Sequence, residues 1–190
     1  YFNDIKIHGL KFNDVKYSSL KDFYFNKNLE IETFKFLKGC HYETFIDLGA
    51  YFGYFSIYAK VKSNIKNVFA YEASSYNFKQ LKKFTKLNNA EIVLINKAVG
   101  EKSGNVKFYK PTYDKNEKFP SHGQLTDPKL DKTNLYFKKE FQTEKAEMIP
   151  MQEIFKNNVK GLTLIKLGIE GYEEKSLRSI ENELKLSHKV

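Results

Sequence analysis

Arginine and cysteine each occur once in these 190 residues, as Arg178 and Cys40. A lone cysteine excludes an internal disulfide and fits a reducing compartment, so a cytoplasmic protein is expected. No partnering base surrounds Cys40, which therefore reads as a buried thiol rather than a nucleophile. With a single arginine among 32 basic residues, the net charge of +9 is almost wholly lysine. Base-specific nucleic-acid readers depend on bidentate arginine, so a dedicated nucleic-acid binder is the less favoured class. The charge reads instead as a solvated surface with a preference for acidic partners such as phosphoglycans, nucleic acid or anionic lipid. No apolar run is long and uncharged enough to span a bilayer. The chain opens at Tyr1 without Met or a signal peptide, which reads as a trimmed or partial chain. Internal repeats are also missing.

What is present suits one globular domain: 41% of the residues are hydrophobic and the length supports a real core. Residues 1 to 26 carry short alternating runs that predict an edge hairpin or small strands, and "NLEIETFKFLKG" has helical spacing closed by Gly39. From residue 44 strands and helices alternate. "TFIDLG", "NVFAYE" and "EIVLIN" predict strands; "YFSIYAKVK" and "SSYNFKQLKKFTKLNN" predict the helices between them. Further on, "KAEMIP" and "MQEIF" predict a short strand and a helix, "LTLIKL" a buried strand and "YEEKSLRSIENEL" one helix. This rhythm predicts an α/β fold with a mainly parallel sheet and helices on both faces. Residues 1–43 form an N-terminal strand-and-helix segment and residues 44–190 the main body of a single domain. Residues 110 to 135 hold three of the four prolines without periodicity, the mark of a lid, a binding loop or a disordered segment.

The stretch "TFIDLGAYFGYFSIYA", residues 44 to 59, carries the chemistry. Asp47 interrupts a core strand, and a buried acid is destabilising unless it finds a partner. Gly49 and Gly53 follow where the strand turns into a helix, the place where open parallel sheets bind ligands. Glycine there permits a sharp turn and close approach to a ligand. Glu72 ends the next strand about 20 residues on, where an acid accepts both hydroxyls of an adenosine ribose. The spacing Asp-x-Gly-x-x-x-Gly departs from the dinucleotide fingerprint, and Asp47 would repel a pyrophosphate. S-adenosylmethionine has no phosphate and carries an ammonium and a sulfonium, so the charge pattern favours it over NAD. The plainer alternative has Asp47 capping the next helix and Glu72 as a surface acid.

With these residues in view, the sequence resembles the FkbM family of S-adenosylmethionine-dependent methyltransferases, of the class I Rossmann-like fold. "FIDLGAYFGYFSIYA", "VFAYEAS", "INKAVGEKSGNVKFY" and "LTLIKLGIEGYEEKSL" match in the family's order, covering residues 44 to about 180. The resemblance implies that Asp47, Gly49 and Gly53 line the methionine part. Ala50, Tyr51 and Phe52 lie in the loop between them, Glu72 holds the ribose, and Ala73 and Ala98 lie near the adenine. It implies methyl transfer to a hydroxyl oxygen of a glycan or related acceptor.

Three departures accompany the match. Gly168 stands in "KLGIEG" where the family's Lys-x-Asp-x-Glu-Gly places an acid, and Met151–Gln152 stands where a Leu-Asp pair is common. The chain ends at Val190, from which the last strands of the fold are expected to be missing, leaving an exposed sheet edge that favours an oligomer. Lys166 and Glu170 are candidate catalytic groups flanking the acceptor, or else a surface pair four residues apart, or Glu170 caps a helix. His122, in the long loop, is a candidate base, although a loop histidine is more often simply solvated. No His/Cys/Asp cluster has metal-ligand spacing. Two rival functions remain open: a catalytically impaired descendant acting as a binding module, suggested by Gly168, and a nucleic-acid methyltransferase, suggested by the lysines.

Overall fold

A computed structural model describes residues 31–39, 41–111, 124, 125, 127 and 141–186. The hairpin or small strands expected at residues 1 to 26, Cys40 and His122 lie outside the described residues, as does most of the proline-rich loop. A first helix, α1 (Ile31–Gly39), precedes the sheet. β1 (Thr44–Leu48) follows, then α2 (Tyr54–Val61), β2 (Asn67–Tyr71), α3 (Ser75–Leu87) and β3 (Val93–Ile95). β4 (Ala98–Gly100), β5 (Gly104–Pro111) and β6 (Phe141–Pro150) come next. The described chain closes with α4 (Met151–Asn158), β7 (Thr163–Leu167), α5 (Glu173–Arg178) and α6 (Glu181–Leu186).

Four strands form a sheet in the order β3-β2-β1-β7, every neighbouring pair parallel. All five residues of β1 are buried, as a central parallel strand covered on both faces requires. Its side chains alternate between two cores. Phe45 packs with Phe34 and Leu37 of α1, Phe55 and Tyr58 of α2, and Phe84 of α3. Ile46 and Leu48 pack on the opposite face with Met151 and Ile154 of α4 and Ile180. Fully burying each of these large side chains contributes about 2 kcal/mol, which fixes β1 in register. The result is a mixed α/β fold of the Rossmann-like kind, with helices on both faces of a parallel sheet. Among the described residues no helix is long and apolar enough to cross a membrane.

The structure refines several expected elements. The third strand covers only Val93–Ile95, because Asn96 turns its side chain back to donate to the Glu72 main-chain oxygen at 2.7 Å. The single helix expected near the C-terminus is two, broken after Arg178. Ser179 caps the first through its hydroxyl on the Ser176 carbonyl at 2.6 Å, and the break turns Ile180 fully into the core. The strand at "KAEMIP" runs ten residues as β6 and pairs antiparallel with β5 and parallel with β4 in a second, three-stranded sheet. Glu144 of β6 ties that sheet to the start of α3: it accepts the Ser75 N–H at 3.1 Å and hydroxyl at 3.0 Å, and within its own sheet pairs with Lys110 of β5 at 2.7 Å.

Candidate active site

The strand order places a switch point between β1 and β7, where the chain departs on opposite sides of the sheet, and ligands of such folds bind beyond it. A solvent-open cleft lies there, with about 560 Å³ of space between its walls and the open solvent at its mouth. One wall comes from the β1 and β2 tips through Gly49, Tyr51, Glu72 and Ala73. Ala98, Phe108 and Leu125 form an apolar wall, and Gly168, Ile169 and Glu170 close the end beside β7.

Glu72 is the best-anchored polar group in the cleft. It follows β2 directly, and only 6% of it is exposed. One carboxylate oxygen accepts the Tyr51 N–H at 2.8 Å; the other accepts the Ser74 N–H at 2.8 Å and, at a long 3.5 Å, the Asn77 amide. Burial pushes its pKa up to about 7, against the opposing pull of those hydrogen bonds and of the Lys166 charge. Tyr51 reaches it through a left-handed backbone, φ 54°. The β1–α2 turn is thus latched onto the β2 tip by one side chain.

Asp47 stands behind this wall. It is fully buried, accepts the Ser56 hydroxyl at 2.7 Å, and pairs with the Lys166 ammonium at 3.1 Å. Lys166 spends a second donor on the Gly49 carbonyl at 3.4 Å and lies 5.5 Å from the Phe55 ring centroid. The acid in the core strand therefore has its partner inside the protein, and neither Asp47 nor Lys166 lines the cleft.

The glycines also serve the protein's own packing. A methyl group at 49 would overlap the Gly168 carbonyl, so the β1 and β7 tips meet only because residue 49 has no side chain, and its φ of 77° suits glycine alone. Gly53 caps α2, and a methyl group there would meet Leu81 of α3. Ala50 packs with Ala70, Phe78 and Leu81, while Phe52 is buried with Phe84 and stacks at 4.0 Å on Tyr51.

Of the residues singled out from the sequence, the cleft thus brings together Gly49, Tyr51, Glu72, Ala73, Ala98 and Glu170. Asp47, Ala50, Phe52, Gly53 and Lys166 support it from behind. Asn77, Phe108 and Leu125 escaped the sequence reading. Phe108 sits in an alternating run, "NVKFY", that could have revealed it; Leu125 carries no local signal, being brought in where Gln124 bridges Tyr109. Among the described residues no group of three or more His, Cys, Asp or Glu is placed to hold a metal ion.

A family model described as the methyltransferase FkbM domain matches residues 47–188, most of the chain and all of this cleft. The chain belongs to the FkbM methyltransferase family. No curated protein matches it. In the FkbM domain described here, a methyltransferase in general terms, the matched region begins at Asp47, so the buried Asp47–Lys166 pair and the Glu72 latch both fall within the family's own boundaries.

Proposed function

We propose that the cleft binds S-adenosylmethionine and that the domain transfers its methyl group to a hydroxyl oxygen of a glycan or related acceptor. Glu72 carries the reading: a buried carboxylate at the β2 tip, inside the cleft, whose Oε2 holds one hydrogen bond, from the Tyr51 N–H, and can accept a second from a ribose hydroxyl. The apolar wall of Ala98, Phe108 and Leu125 suits a purine. S-adenosylmethionine would supply a methyl group on a sulfonium, which leaves to the acceptor oxygen while the bonding pair stays on sulfur as a thioether. The protein's share is positioning and proton management. Gly49 and Tyr51 shape the turn, Glu72 orients the ribose, and Glu170, exposed at the Gly168 end of the cleft, accepts the hydroxyl proton. Lys166 is committed to Asp47 and takes no part in that transfer.

Calorimetric titration with S-adenosylmethionine tests the reading. Binding that weakens at least tenfold in Glu72→Ala supports it; a folded sample that binds nothing removes it. A second reading, a cofactor-binding module without turnover, is favoured by Gly168, which puts no acid at the β7 tip. Tight binding with no methyl transfer to any hydroxylated acceptor would select it.

A further inference from the structure

Glu170 stands in left-handed backbone, φ 54°, and the next residue, Gly171, does so too, at 88°. Glycine adopts that conformation freely, whereas in glutamate the Cβ crowds the following carbonyl. Something must hold residue 170 there. The turn before it is anchored, since the Gly168 N–H donates to the Leu48 carbonyl at 2.9 Å. The hold on residue 170 itself comes from Glu173, in the first turn of α5. One oxygen of its carboxylate accepts the Ile169 N–H at 2.9 Å, and the other accepts the Gly171 N–H at 2.8 Å. The N–H groups of the residues before and after Glu170 therefore end on a single side chain, which spans it from both sides.

We propose that Glu173 is the positioning residue for Glu170: its carboxylate locks residue 170 in left-handed backbone and so fixes where the Glu170 side chain leaves the β7 tip for the cleft. The proposal rests on the reading of Glu170 as the group that takes the acceptor's proton, but the conformational lock is testable without it. Two carboxylates then share the work. Glu173, half-buried, spends both oxygens on backbone amides, while Glu170 stays exposed, with its carboxylate left for the cleft. With no acid at 168, the acids lining the cleft among the described residues are Glu72 and Glu170, and Glu170 is the one that follows β7, so its placement matters to turnover.

A stability cycle decides the lock. Glu170→Gly relieves the strain and should raise the folding equilibrium constant about fivefold in urea unfolding. In a Glu173→Ala background residue 170 is free to leave the left-handed region, and the same substitution should give no gain or a slight loss, a coupling of at least about fivefold. Equal gains in both backgrounds would overturn the proposal, because something other than Glu173 would then hold residue 170. Backbone carbon chemical shifts give a second readout: residue 170 should show left-handed values in the unmodified protein and lose them in Glu173→Ala. Left-handed values that persist in Glu173→Ala would overturn it too. Should Glu173→Ala fail to fold, Glu173→Gln carries both measurements, since its amide accepts one flanking N–H but opposes the other. Titration of the unmodified protein with S-adenosylmethionine separates the two ideas: absence of binding sinks the cofactor reading and leaves the lock to be judged on the cycle.

Discussion

Asp47 of β1 and Lys166 of β7 occupy directly paired positions in the parallel register, and their side chains meet at 3.1 Å on one face of the sheet. The Ser56 hydroxyl takes the other oxygen of the acid from α2. Three elements are pinned together at the strand tips by one buried charge, immediately behind the cleft that Glu72 faces.

Breaking this pair should act on stability before it acts on binding. Lys166→Met leaves a fully buried carboxylate without its cation and is expected to cost about 3 kcal/mol. Asp47→Asn leaves an ammonium that is 21% exposed and able to take up water, so its cost should be smaller, about 1 kcal/mol. Urea unfolding of both variants checks the order; a Lys166→Met protein as stable as the unmodified one would show that the acid is compensated elsewhere.

The two glycines at the strand tips should respond differently to the same change. Gly49→Ala forces a methyl group into the Gly168 carbonyl and a side chain onto left-handed backbone, so a loss of at least about 3 kcal/mol is expected. At Gly168 the added methyl group would stand 2.9 Å from the Lys166 ammonium, the movable end of a flexible side chain. Gly168→Ala is expected to stay within about 1 kcal/mol in thermal or urea unfolding.

Gly168→Asp goes further, because its carboxylate would start beside that same ammonium. It should compete with Asp47 for Lys166 and also add an acid at the cleft end. The expected outcome is a modest loss of stability with a gain in methyl transfer to hydroxyl acceptors, measured as release of S-adenosylhomocysteine. An unchanged rate in a variant that still binds cofactor would mean that Glu170 already supplies the proton acceptor.

Glu72 sets the pH dependence. Its pKa in the folded protein is raised, to about 7, by burial, so the folded state binds its proton more tightly than the unfolded chain. Its contribution to stability is therefore full below the unfolded value near 4.5 and is lost as pH rises through 7. Between pH 5 and pH 8 this group should remove up to about 3 kcal/mol, a slope that Glu72→Ala abolishes in unfolding titrations. Affinity for S-adenosylmethionine should move the other way, strengthening as the carboxylate ionises and becomes the better acceptor. Affinity independent of pH across this window would exclude Glu72 as the ribose acceptor.

Local pattern was enough to place most of the frame. A five-residue apolar strand, a turn with two glycines, a Ser-capped helix and an acid at the next strand tip specify a βαβ unit and the end of the sheet that binds ligands, because side-chain period and turn chemistry are properties of neighbouring residues. Glu72 was readable for the same reason. The break at Ser179 was not, since it exists to turn Ile180 into a core assembled from β1, β2 and α4. Leu125 reaches the cleft across a bridge to Tyr109 that no spacing announces.

Both Asp47 and Glu72 look alike in sequence, each an acid near a strand end before a helix. Which of them lines the cleft is decided by partners more than a hundred residues away along the chain in one case and a few residues away in the other. Lys166, brought alongside by the β1–β7 register, draws Asp47 into the interior, because a buried charge goes where its counter-charge is. Among the described residues the donors to Glu72 are amides, of Tyr51, Ser74 and Asn77, which hold it at the cleft. Residue order thus specified the strands and the two acids, while long-range pairing of charge assigned one acid to the scaffold and left the other to the cleft.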